Sequence, residues 1–193
     1  MGEAVVRSKL TPEEYLAFER SSELKHEYAN GEIFAMSGGT RAHSLVSGNV
    51  LGELRSALSE RDCEVHGSDM RIKVPVTGRY VYPDASVVCG DALFEDDEQD
   101  TLLNPKVIIE VLSKSTEPYD RGDKFENYQT LVSLREYVLL SQKKIRVEHY
   151  SLQSDGTWIL RVLGAGERLA LPSIGCEIAV DRIYLKVFKR PAS

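Results

Sequence analysis

The chain has 193 residues, 42% of them hydrophobic and 28% charged, with a formal net charge of −6. That length fits one domain with a substantial core, and the composition excludes a chain disordered throughout. The acidic balance argues against a protein that coats nucleic acid non-specifically, and no apolar run approaches the ~20 residues of a membrane helix.

Thr11-Pro12-Glu13-Glu14 reads as a helix start, with Thr11 as N-cap, Pro12 at the first helical position and Glu14 closing a capping box. Asn30-Gly31 between two extended runs predicts a hairpin over Lys25 to Met36, and a two-residue loop pairs Glu27 with Phe34. Ser37-Gly38-Gly39-Thr40-Arg41 is a loop. A helix then runs from Ala42 to about Ser59, with Val46, Val50, Leu54, Ala57 and Leu58 on one stripe. His43 lies one turn before Val46, where a half-buried packing role and a functional one explain it equally well. Gly48 and Gly52 weaken that helix and predict close packing against a sheet.

Cys63 to His66 and Met70 to Val74 are short strands, and Tyr80 to Val88 is a strand carrying Asp84. Glu95-Asp96-Asp97-Glu98-Gln99-Asp100 is expected as a solvated loop. Val107 to Ser113 is a buried strand holding one carboxylate, Glu110. Tyr119 to about Val132 is a helix with Phe125, Tyr128 and Val132 inward, and its spacing puts Asp120, Lys124 and Tyr128 in one row. Arg121, Lys124, Arg135, Lys143, Lys144 and Arg146 allow a local positive surface. Strands follow at Glu136–Leu140, Lys144–Tyr150 and Trp158–Val162, with a short helix over Asp181–Val187. The mixture predicts a single α/β (α+β) domain. Three scattered cysteines, Cys63, Cys89 and Cys176, show no zinc spacing or disulfide framework, so buried free thiols in a cytoplasmic protein are expected.

An acid inside an apolar strand costs several kcal/mol, on the order of an unpaired buried charge, unless it is paired or holds a cation. Glu110 and Asp84 on neighbouring strands form a cradle for a hard divalent ion. Either acid alone is explained by backbone N–H groups or a basic partner; the two together, with a lysine downstream, favour a metal site.

Pro83-Asp84 followed by Glu110 matches the PD-(D/E)XK nuclease pattern, except that Leu112 stands where that pattern has lysine. With Gly38-Gly39-Thr40, His43, Ile109-Glu110-Val111-Leu112-Ser113, Ser115-Thr116, Asp120, Lys124, Tyr128 and Glu136-Tyr137, the chain resembles the Uma-type family of restriction endonucleases over about residues 10–185. The resemblance implies a restriction-endonuclease-like core, a central mixed β-sheet flanked by helices, with an N-terminal helix and β-hairpin. It implies a Mg²⁺-dependent DNA endonuclease, Mn²⁺ being able to substitute. Asp84, Glu110 and the Val111 carbonyl would hold the ion, and Lys124 would replace the missing lysine, with Lys114 its rival. Glu27 would be a further carboxylate near the metal, and His43 a contact to metal or phosphate. The alternative is a scaffold that binds nucleic acid without turnover. A homodimer through the strand-rich C-terminal third is a further expectation.

Overall fold

A computed structural model describes residues 9–113 and 117–188. Helix α1 (Pro12–Ser21) begins at the expected capping box: Glu14 N–H donates to the Thr11 hydroxyl, and Thr11 N–H donates to the Glu14 carboxylate. Strands β1 (His26–Ala29) and β2 (Glu32–Ala35) pair with Glu27 opposite Phe34. Asn30 and Gly31 sit at φ 54° and 87°, the left-handed pair a two-residue hairpin turn requires.

Helix α2 (Arg41–Ala57) buries Val46, Val50 and Leu54, and Leu58 follows just past its end. Each such side chain contributes about 1.5–3 kcal/mol of transfer free energy. Ala57 faces solvent, and so do Gly48 and Gly52, with open space where a side chain would begin. The expected close approach of those glycines to a sheet is therefore corrected: α2 packs through its aliphatic stripe.

Strands β3 (Cys63–Gly67) and β4 (Arg71–Val74) are followed by β5 (Arg79–Val81) and β6 (Ala85–Cys89). The expected single strand through Asp84 is thus two strands with a corner at Tyr82-Pro83-Asp84. Proline cannot donate to a ladder, which favours a break there. The remaining strands are β7 (Thr101–Leu102), β8 (Val107–Leu112), β9 (Glu136–Ser141), β10 (Val147–Leu152), β11 (Trp158–Leu163), β12 (Arg168–Leu171) and β13 (Cys176–Ala179). One sheet has the order β2-β1-β5-β4-β7, the second β11-β10-β9-β8-β6-β3, and β12 pairs with β13. In the second sheet β8 and β9 run parallel and the other pairs antiparallel, so it is mixed as expected.

Alternation along β8 divides the core. Val107, Ile109 and Val111 pack in the cluster of α2 and the C-terminal strands, whereas Ile108 and Leu112 meet Phe125, Tyr128, Leu131 and Leu134. Glu110 shares the second face. The helix expected over Tyr119–Val132 is two short ones, α3 (Glu117–Arg121) and α4 (Asp123–Tyr128), broken at Gly122. Val132, expected inward, is 90% exposed because the chain leaves the helix after Tyr128 and turns Leu131 and Leu134 to the core instead. The last helix, α5 (Val180–Ile183), is shorter than its expected span.

Two electrostatic expectations change. The acidic run is anchored: Arg20 meets Asp96 and Asp100 at 2.8 Å each, buried Arg71 meets Asp100 at 2.8 Å, and Lys73 contacts Glu95. Among the basic residues, Arg121 and Arg146 pair with Glu148, Lys143 pairs with Glu117, and Lys124 is buried, so these four do not make an open positive face. Hydrogen bonds from Arg20 hold the Asp100 carboxyl well below the ordinary range against its partial burial, with Arg71 adding to the effect. A depressed acid contributes stability above its unfolded pKa and loses it as pH falls. Arg20→Ala is therefore expected to lower the melting temperature at pH 7, with the deficit narrowing below about pH 4. Thermal melts of both proteins across that range check this.

Cys63 and Cys89 face each other across β3 and β6 and are joined by a disulfide, leaving Cys176 as the buried free thiol. The expectation of three free thiols is corrected on that point. No helix among the described residues is long and apolar enough to cross a membrane.

Candidate active site

The two sheets meet at the Tyr82-Pro83-Asp84 corner. Pairing of β6 with β8 stops at Ala85–Ile109, so the Val111 N–H beyond it is free of that ladder and donates to Asp84 Oδ2 at 2.7 Å. The other Asp84 oxygen, Oδ1, lies 3.3 Å from His43 Nε2 and accepts from Ser47 Oγ at 3.3 Å. His43 and Ser47 are four residues apart on α2, one turn of the same face. Asp84 raises the His43 pKa by hydrogen bonding, against the opposing influence of burial.

Glu110 is 4% exposed. Its Oε1 accepts from Lys124 Nζ at 2.9 Å and from Tyr128 Oη at 3.0 Å. Lys124, 6% exposed on α4, also lies 3.2 Å from Glu27 Oε1 and 3.9 Å from Asp120 Oδ1. Glu27 Oε1 accepts the Tyr82 N–H at 3.3 Å, tying the first hairpin to the corner. The Asp120, Lys124, Tyr128 row thus survives the break at Gly122.

Burial is the largest influence on Glu110 and lifts its carboxyl well above the ordinary range; Lys124 opposes this, while Asp120 and Asp84 add to it. Burial disfavours the Lys124 ammonium, yet Glu110, Glu27 and Asp120 together hold its pKa well above normal.

Most of these groups, though not Ser47 or Tyr128, line one cleft of about 710 Å³ that also reaches Gly38, Gly39 and Thr40 before α2. All five predicted side chains, Glu27, His43, Asp84, Glu110 and Lys124, border it, together with Val111. Lys114, the rival lysine, lies outside the described residues. Sequence reading missed Ser47, the Tyr82 main chain and Gln142. Gln142 donates to the Leu112 carbonyl at 2.9 Å, and its other amide atom contacts the Thr40 hydroxyl, so it links the exit of β8 to the start of α2. The spacing of Ser47 from His43 was the one signal available; nothing local marks Gln142.

A β-carbon at Gly39 would fall 2.8 Å from His43 Nδ1. Gly39→Ala is expected to push the imidazole off Asp84, and NMR of the His43 ring protons checks this through a lower pKa than in wild type.

Among the described residues no three His, Cys, Asp or Glu side chains form a metal-holding group. The expected set has two side-chain ligands, Asp84 and Glu110, with a main-chain carbonyl. Its chemistry suits a hard cation: four carboxylates, Glu27, Asp84, Glu110 and Asp120, line the cleft with Lys124 among them.

The profile of the Uma2 family, described as "Putative restriction endonuclease", matches residues 12–181. The chain belongs to this family. It is similar to the uncharacterized protein slr1290 of Synechocystis sp., 40% identical over 178 residues, covering 91% of this chain and 92% of that one. A second uncharacterized Synechocystis protein, sll1609, is 36% identical over 154 residues, covering 80% and 87%. The fold matches a crystal structure described as a "putative nuclease belonging to DUF820" from Anabaena variabilis, with TM-score 0.76 at 16% identity over 93% of this chain and 99% of that one. The Uma2 assignment and the mixed α+β fold both agree with the sequence reading, and the family description supports a nuclease.

Proposed function

We propose that this Uma2 protein is a divalent-metal-dependent endonuclease that hydrolyses phosphodiester bonds in DNA. The observation that carries the reading is Lys124 Nζ at 2.9 Å from Glu110 Oε1. A lysine from α4 reaches the carboxylate that a strand lysine would accompany, where Leu112 supplies none.

Asp84, Glu110 and the Val111 carbonyl would hold Mg²⁺ or Mn²⁺. When bound, that ion polarises the phosphodiester and lowers the pKa of water. The chain's own groups do the rest. Val111 N–H, His43 and Ser47 fix the direction of Asp84. Tyr128 and Lys124 fix that of Glu110, and Glu27 and Asp120 keep Lys124 protonated. The Lys124 ammonium orients the attacking water and stabilises charge developing on the phosphate.

Supercoiled plasmid incubated with wild-type protein tests this. Nicking that needs Mg²⁺ or Mn²⁺ and stops with EDTA is expected. Metal binding without cleavage of any DNA would replace the reading with a scaffold that binds but does not turn over.

A further inference from the structure

Among the described residues, carboxylates outnumber cations around the cleft. Four carboxylates border it, while the Lys and Arg side chains among the described lining residues are Lys124 and Lys143. Lys124 is committed to Glu110 and Glu27, and Lys143, at the rim, is 2.9 Å from Glu117. Arg41, at the start of α2, donates to the main-chain carbonyls of Lys186 and Val187 at 3.1 and 3.3 Å. A protein that tracks duplex DNA neutralises many phosphates with lysine and arginine, and its affinity falls steeply with salt.

Depth gives a second, independent constraint. Glu110 and Lys124 are 4% and 6% exposed, so a reacting phosphodiester must descend to them. One wall of that descent is apolar, formed by Phe34, Ala35 and Met36 at the end of β2. Paired bases hold a duplex backbone on a stiff outer path, whereas an unpaired strand bends and can lay a base on an apolar wall.

We propose that the strand this site takes is single-stranded DNA, held by few phosphate contacts and an apolar wall. This rests on the nuclease reading and specifies its substrate. Lys143, after release from Glu117, supplies one of the phosphate contacts.

The test is fluorescence anisotropy with fluorescein-labelled DNA of roughly 12 nucleotides, single-stranded or as a blunt duplex, in Ca²⁺ across a KCl series. The single strand is expected to bind at least about tenfold more tightly, with a log–log salt slope shallower than about −3. Lys143→Ala is expected to make that slope shallower by about 0.7, the share of one phosphate on a single strand. Equal or tighter binding of duplex, a steeper slope, or no binding of either DNA overturns the proposal. Cleavage of the same oligonucleotides in Mg²⁺ separates the two readings. Preferential cutting of duplex sinks the single-strand proposal and keeps the nuclease. Preferential single-strand binding with no cutting of any DNA sinks the nuclease reading and keeps the binding preference.

Discussion

Lys124→Ala is expected to lower the stability of the protein by about 3–5 kcal/mol, the cost of leaving buried charge without its partner, and to abolish plasmid nicking. The ammonium is the basic group within 4 Å of both Glu110 and Glu27 among the described residues, and all three side chains are at most 13% exposed. Once it is gone, Glu110 must stay charged without its partner or take up a proton, and binding a proton at pH 7 still costs about 3–4 kcal/mol against an unfolded carboxyl of pKa about 4.3. The double variant Lys124→Met with Glu110→Gln should therefore recover much of the lost stability and none of the activity. Urea unfolding midpoints and nicking rates measure the two effects separately. A Lys124→Ala protein as stable as wild type would show that the ion pair does not form. One that still nicks would hand the catalytic lysine to Lys114.

The second large effect separates charge from hydrogen bonding at Asp84. Asp84→Asn keeps an oxygen for the Val111 N–H and is expected to fold with near wild-type stability, whereas Asp84→Ala leaves that N–H without its acceptor and costs about 1–3 kcal/mol. Both should lose metal-dependent nicking by about 10²-fold or more, since neither supplies an anionic ligand. Calorimetric titration with Mn²⁺ alongside the nicking assay checks this. Unchanged Mn²⁺ affinity in Asp84→Asn would remove Asp84 from the proposed metal site.

What could be read in the sequence was local. Asn30-Gly31 demands a two-residue turn, and that turn sets Glu27 opposite Phe34. The capping box at Thr11 and the aliphatic stripe of α2 are equally short-range. The acid in β8 was conspicuous because its neighbours are apolar, and the break at Gly122 is slight enough that Asp120 and Lys124, four apart, still meet at 3.9 Å. What was not legible depends on partners distant in the chain. Nothing near Asp84 says that its corner passes between two sheets, or that Ser47 and the Val111 N–H wait on either side. The pairing of Cys63 with Cys89 follows from strand register, which spacing does not disclose. Gly48 and Gly52 misled because a helix tolerates glycine on its wet face as well as on its packed one. Val132 misled because Tyr128, four residues earlier, ends the helix that would have carried it inward.

The corner at Tyr82-Pro83-Asp84 also makes the constellation a joint property of the two sheets. Glu27 arrives with the first sheet, Glu110 with the second, and Asp84 stands on the chain segment that leaves one for the other. Neither sheet contains the whole constellation, so a folding intermediate with either one formed alone would have native strands and no working site. The proposed site is therefore complete only where both sheets are docked at this corner.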